Sequence, residues 1–323
     1  MKGFDKMFET FKATLSPMLV MFMCMLIGFV MNKKRFAPEN SATVLSKLEN
    51  YVCVPALLIN TFMTRCTIAS LTENYIIVLY SILVLFFALM IALPLARVFA
   101  KDDEYKRSIY SYAMTFGNFG FMGNAIVPAI LGSVDPDILY KYLLFTLPLQ
   151  TAVNTWGIVI LIPRGEEKKN PLKNLCNPVF FSIILGIILG LTNAGEVLPL
   201  FVIDTIDYFK NCMGPLAMFL TGFVVAGYPM RELLSDKKIY VATFLRLIII
   251  PAVLLSLLFL LRAPELVITL AFFAYATPLG MNTVVFPAAY GGETRTGASM
   301  AMISHVLCVI TIPILFSILN VIL

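Results

Sequence analysis

Charge is scarce in this chain. Of its 323 residues only 13% are Asp, Glu, Lys or Arg while 59% are hydrophobic, and the mean hydropathy of +0.88 is one that a soluble domain of this size could not hold in water. Histidine occurs once, at His305. There is no His/Glu metal cluster, no nucleophile with a base beside it and no glycine-rich phosphate loop, so an enzyme or an ATP-driven pump is not indicated and no cofactor or metal is expected. The six cysteines, Cys24, Cys53, Cys66, Cys176, Cys212 and Cys308, show no C-x-x-C pair and no regular spacing. That argues against a disulfide framework and a zinc site. The net charge of +5 is scattered between apolar runs, which does not suggest nucleic acid as a partner. Carboxylates are also missing from the middle of the apolar runs. Glu49, Glu73 and Glu265 fall at their edges, and Asp204 and Asp207 in a polar connector. An antiporter that exchanges ions on buried carboxylates is therefore not indicated, while sodium held by carbonyls, Asn and Thr alone stays open.

Long apolar runs are what the chain has instead. They fall at about 16–31, 50–63, 75–99, 108–131 and 139–162, and again at about 178–193, 211–228, 239–261, 265–290 and 297–321. The expected fold class is an all-α integral membrane protein of ten transmembrane helices. Residues 1–15 read as an amphipathic lead-in and 37–49 as a polar connector. The first run lacks a small-x-small cleavage site and ends against Lys33-Lys34-Arg35, so it reads as a retained span. Alternate loops carry 7 and 17 of the 24 Lys and Arg. That asymmetry places both termini outside and the Lys33, Lys101, Lys168 and Lys237 loops inside, in a multi-pass protein of the cytoplasmic membrane.

Five spans per half means that a second copy would enter the membrane upside down. The proline pairs Pro55/Pro215, Pro94/Pro251 and Pro128/Pro287 recur at nearly constant separation, and Pro128 and Pro287 are each followed by Ala and, four positions on, by Gly132 and Gly291. The expected organisation is a first inverted repeat over 1–165, a cytoplasmic linker over 166–177 and a second repeat over 178–323.

Two stretches break the apolar pattern, GNFGFMGNAIVPAILG at 117–132 and ATPLGMNTVVFPAAYGG at 276–292. Gly, Asn, Thr and Pro release backbone groups that cannot face hydrocarbon, so each break must face protein, a cavity or a solute. Paired interruptions in matching places of two halves point to a secondary transporter's binding site. Half-helix N-termini suit an anion and C-termini a cation, and Asn118, Asn124, Thr277, Asn282 and Thr283 add neutral hydrogen-bonding groups. An organic carboxylate is the natural ligand. The plainer alternative is that these groups only satisfy a structural kink.

Six further polar residues bear on the path. Thr146, Gln150 and Asn154 share one face of the fifth span, where lining a path and gluing helices are both open. Asn60, on the Pro55-interrupted second span, has the same two readings. His305 is either a proton-coupling group or a neutral imidazole bonded to a carbonyl or hydroxyl. Arg246, the cation clearly inside a span, either attracts the anion or snorkels toward the surface.

Asn118, Gly120, Met122 and Gly123 resemble the N-T-G-F-M-G-I-P signature of the auxin efflux carrier family, and Pro278-x-Gly280 followed by Phe286 and Tyr290 is similar to its P-x-G…F…Y stretch. The family contains plant PIN proteins and bacterial permeases for malate and related acids. The resemblance implies two inverted five-helix repeats, a scaffold domain and a transport domain, and crossed broken helices four and nine, as in bile-acid symporters and sodium/proton antiporters. It also implies a homodimer, and a substrate site that draws on Gly120, Gln150 and Pro278. Where the family has Pro, this chain has Asn124-Ala125, so its first break relies on glycine and Asn. The expected function is a secondary transporter that moves a small organic anion, such as malate or an auxin-like acid, across lipid by alternating access, with export driven by membrane potential. A proton- or sodium-coupled importer and a transporter-like receptor are the alternatives.

Overall fold

The computed structural model describes residues 2–38, 40–163 and 176–323. Helices α1 (Lys2–Lys33), α2 (Ser41–Arg65) and α3 (Ile68–Phe99) come first. The fourth apolar run is split into α4 (Glu104–Thr115) and α5 (Asn124–Leu131), joined by a bend and one π-helical turn, Phe119–Gly123. Then come α6 (Ile138–Leu161), α7 (Pro178–Leu191), α8 (Leu200–Ala226) and α9 (Lys237–Leu260). The ninth run is split into α10 (Glu265–Tyr275) and α11 (Asn282–Ala289), and α12 (Arg295–Ile322) ends the chain. Among the described residues eight helical stretches are long and apolar enough to cross a membrane, with Glu104–Leu131 taken as one, and α7 and α10 are shorter apolar helices. The linker expected at 166–177, with Lys168, lies outside the described residues up to 175.

Several helices start earlier than hydropathy indicates. The stretch read as a lead-in is the first half of α1, and most of the connector at 37–49 is the first half of α2. Glu49 is therefore not at an edge but fully buried inside α2, a correction to the sequence reading. Helix α3 starts at Ile68 because Thr67 and Ser70 cap it reciprocally, at 3.0 and 2.8 Å. Helix α8 takes in Asp204 and Asp207, whose expected place was a connector; Asp207 stays wet by pairing with Lys210 at 2.6 Å.

Helix α3 shows what kind of surface this is. Leu79, Ile82, Phe86 and Met90 recur at helical spacing and are all more than half exposed, whereas the opposite face buries Val84, Ala88, Ala92 and Ala96. A helix apolar on both faces, with its small residues inward, is solvated by lipid, not water. The chain is a multi-pass membrane protein.

Tight helix pairs build two groups, which are joined where α1 packs along α12. Helix α1 packs closely on α8, where Gly222 leaves no room for a side chain against the Met25 carbonyl, nor Gly28 against that of Phe219. Helix α2 packs on α7 and α8, completing the first group. In the second, α3 packs on α4 and α6, and α9 on α10 and α12; Ser81 Oγ ties α3 to the Phe145 carbonyl of α6. Two π-helical turns, Glu49–Cys53 and Leu245–Ile249, each end two residues before a proline, Pro55 or Pro251. A proline lacks an N–H and crowds the carbonyl four residues back, and widening the helix upstream relieves both.

Candidate functional site

The two breaks meet. Phe116, Gly117 and Asn118 leave the helical path after α4, and Ala276 to Met281 do so after α10. The Asn118 N–H donates to the Pro278 carbonyl at 2.7 Å, and the Leu279 N–H donates to Ser304 Oγ of α12 at 3.0 Å. The Asn118 carbonyl accepts from the N–H groups of Met122 and Gly123 at 3.0 Å. Tyr142 of α6 donates to the Phe119 carbonyl at 3.2 Å and lies 3.5 Å from that of Phe273. The backbone groups that glycine and proline release are thus returned to protein, as lipid requires.

Side chains extend the same network. His305 Nδ1 faces the Ala301 carbonyl at 2.7 Å, and Nε2 faces Asn118 Nδ2 at 3.1 Å. A carbonyl only accepts, so Nδ1 carries the hydrogen and Nε2 accepts from the Asn118 amide. The imidazole is bonded at both nitrogens, one partner a carbonyl and the other an amide. Asn282 Nδ2 donates to the Tyr112 hydroxyl at 2.8 Å, which joins α11 to α4.

A cavity of about 570 Å³ opens beside the crossing, within the about 300–1,000 Å³ usual for small-molecule sites. One wall belongs to the first helix group: Tyr51, Leu58 and Phe62 of α2, Val179 and Ile183 of α7, and Leu220 of α8. The facing wall carries Asn118, Gly120, Asn124, Gln150, Asn154 and Asn282, with Thr146 one turn from Gln150 on α6. Gly120 lies beside the Gln150 side chain, where a Cβ would meet Oε1 at 3.6 Å, an ordinary contact. Asn154 donates to the Gln150 carbonyl at 2.9 Å, and Asn124 Oδ1 is buried without a partner. Lys47 is a charged side chain in the wall, and no carboxylate lines it among the described residues.

The other candidates sit elsewhere. Thr277 and Thr283 are fully buried and donate to carbonyls of their own chain segment, Ala274 and Gly280. Pro278 contributes its carbonyl to Asn118, and His305 stands behind Asn118. Asn60 faces α8, where its Oδ1 accepts from Lys210 Nζ at 3.0 Å. Tyr112 gains weight that sequence reasoning did not give it, and one of the two readings of Arg246 falls. Tyr112 holds Asn282, and its position six residues before Asn118 carried no signal. Arg246 does not snorkel: it is fully buried, and its Nη1 donates to the Tyr275 carbonyl at the end of α10. Its place eight residues beyond Lys238, past the first turns of α9, was the available clue.

A model of the membrane transport protein family matches residues 13–316. The chain belongs to that family, the auxin efflux carriers that its fourth and ninth runs resemble. It is also 22% identical over 317 residues to the "Uncharacterized transporter YfdV" of Escherichia coli K12, an alignment covering 95% of this chain and 97% of that protein. The YfdV proteins of Escherichia coli O157:H7 and Shigella flexneri match to the same extent. Family members are transporters, and the broken helices with their cavity lie wholly inside the matched residues.

Proposed function

We propose that this protein is a secondary carrier for a small organic anion, with a carboxylate held at the crossing of the fourth and ninth runs. The observation that carries this is the make-up of the cavity: amide side chains from Asn118, Asn124, Gln150, Asn154 and Asn282, Lys47 in the wall, and no carboxylate lining it among the described residues. Such a wall repels no anion and offers several donors to one. The lining comes from both helix groups, so movement of one group against the other would open the cavity to alternate sides. In this reading α1, α2, α7 and α8 form the scaffold and the remaining helices the transport unit, built from ten membrane helices in two inverted repeats with both termini outside. Outward movement of an anion from a negative interior is favoured by about 2.3 kcal/mol per charge per 100 mV, so export needs no coupled ion.

The test is uptake of labelled malate, with an aromatic carboxylate in parallel, into proteoliposomes under an imposed potential. Saturable flux driven by potential alone is the expected result, with binding abolished in Asn118→Ala and Asn282→Ala. Wild-type affinity in both variants, or binding without flux under any gradient, would overturn the reading, the second result in favour of a receptor.

A further inference from the structure

Arg246 is a charge that no carboxylate pairs with among the described residues. It lies on the π-helical turn Leu245–Ile249 of α9, with no exposed surface. Nη1 donates to the Tyr275 carbonyl, while Nε and Nη2 have no hydrogen-bond partner. A Cβ built at Gly117 would strike both Nη2 and Thr277 Oγ1, so the guanidinium lies against the crossing itself, on the far side of Gly117 from the cavity that glycine lines. Among the described residues it makes no ion pair.

A guanidinium keeps its charge in a protein, and burying an uncompensated charge is costly. What offsets it here is the end of a helix. Helix α4 stops at Thr115 and α10 at Tyr275, both at the crossing, and each C-terminus presents carbonyls and a partial negative charge. In carriers built on discontinuous helices such carbonyl ends coordinate the coupling cation. In this chain a side chain of the protein already occupies the end of α10.

We propose that Arg246 is the resident cation of the crossing. Its guanidinium stands where a sodium ion would be held, at the Tyr275 carbonyl and beside Thr277 Oγ1, so the carrier works without sodium. Its unpaired Nε and Nη2 leave the crossing with an excess of positive charge that an anion on the cavity side of Gly117 offsets. Arg246 is a positioning and specificity-determining residue, because it acts through Gly117 and the helix ends instead of touching solute. The inference goes beyond the organic-anion reading, since the resident cation at the end of α10 holds whichever anion is carried.

The experiment compares purified wild-type protein with Arg246→Ala and Arg246→Lys in sodium chloride and in choline chloride at equal ionic strength, reading the thermal unfolding midpoint. Wild type and Arg246→Lys are expected to unfold at the same temperature in both salts. Arg246→Ala vacates the carbonyl end of α10 and is expected to gain a sodium-specific rise of about 3 °C or more. A side chain with a merely structural role would lower the midpoint equally in both salts. A sodium-specific rise in wild type, or none in Arg246→Ala, overturns the proposal. Should Arg246→Ala fail to assemble, wild-type malate flux decides, because stimulation by a sodium gradient overturns the proposal and indifference to it supports it. Absence of malate flux in wild type alongside a sodium response in Arg246→Ala would refute the organic-anion reading and leave the resident cation standing.

Discussion

The backbone N–H of Asn118 donates to the Pro278 carbonyl oxygen at 2.7 Å, so the interruption of the fourth run and that of the ninth are each other's hydrogen-bond partner. Neither break is stable alone. A free N–H at membrane depth costs several kcal/mol, about the loss expected if one segment were straightened while the other stayed bent. The two breaks are therefore tied to each other backbone to backbone, at Asn118 and Pro278. His305 reinforces this from behind through its 3.1 Å contact with the Asn118 amide, which fixes the side chain's orientation as well as its backbone.

Gly117 is a crowded point where the two breaks meet. A methyl group there meets Arg246 Nη2 and Thr277 Oγ1, and neither has space to retreat, since both residues have no exposed surface. Gly117→Ala is expected to lower stability by about 1–3 kcal/mol through overpacking and to slow transport more than tenfold, because the displaced segment carries Asn118. Thermal unfolding and malate flux measure the two effects. An unchanged midpoint would show that the guanidinium is not packed against Gly117.

The breaks were legible in the sequence because glycine, asparagine and proline clustered inside an apolar run free backbone groups that lipid cannot satisfy. Asn118, Asn124 and Asn282, singled out on the same grounds, and Gln150 and Asn154, singled out as a polar stripe on the fifth span, line one cavity. Direction was not legible. Asn60 and Asn118 look alike as polar residues in a span, yet one turns to Lys210 on α8 and the other to the crossing. Thr277 and Thr283 close bonds within their own segment, which a hydroxyl three residues from a carbonyl does readily and which no spacing rule separates from solute binding. Glu49 was misplaced for a different reason. Hydropathy begins the second span at Asn50, but the helix begins at Ser41 and passes through a π-helical turn, so a residue that reads as an edge lies in the middle. Arg246 stood out as an intramembrane cation, but which way a long side chain runs depends on helices far away in sequence.

Glu49 gives a prediction of opposite sign to most substitutions. Its side chain is fully buried, and both carboxylate oxygens are without a partner. A buried polar group left unsatisfied costs about 1–3 kcal/mol, and Met has nearly the same length and volume without the polar oxygens. Glu49→Met is expected to raise the thermal midpoint of the purified protein. If the midpoint falls instead, the carboxyl has a stabilising partner and its burial is not a net cost. A midpoint that rises while flux is lost would identify the carboxyl as a group retained for transport at the expense of stability.

Asn124 bears on which acid the cavity prefers. Its Oδ1 is buried, faces no donor and belongs to a residue of the cavity wall. The Nδ2 donors of Asn118 and Asn282 are already engaged with His305 and Tyr112, and among the described residues Asn124 Oδ1 is the buried amide oxygen of the wall that no donor reaches. A dicarboxylate with a hydroxyl on the carbon next to the carboxylate can donate to that oxygen, whereas the same acid without the hydroxyl leaves it unpaired. The difference should be about 1–1.5 kcal/mol, or about five- to tenfold in affinity. Malate is therefore expected to compete for uptake about five- to tenfold better than succinate in the wild-type protein. In Asn124→Ala the two acids should compete alike, because the acceptor that separates them is gone. Equal competition in wild type would mean that Oδ1 does not face the solute.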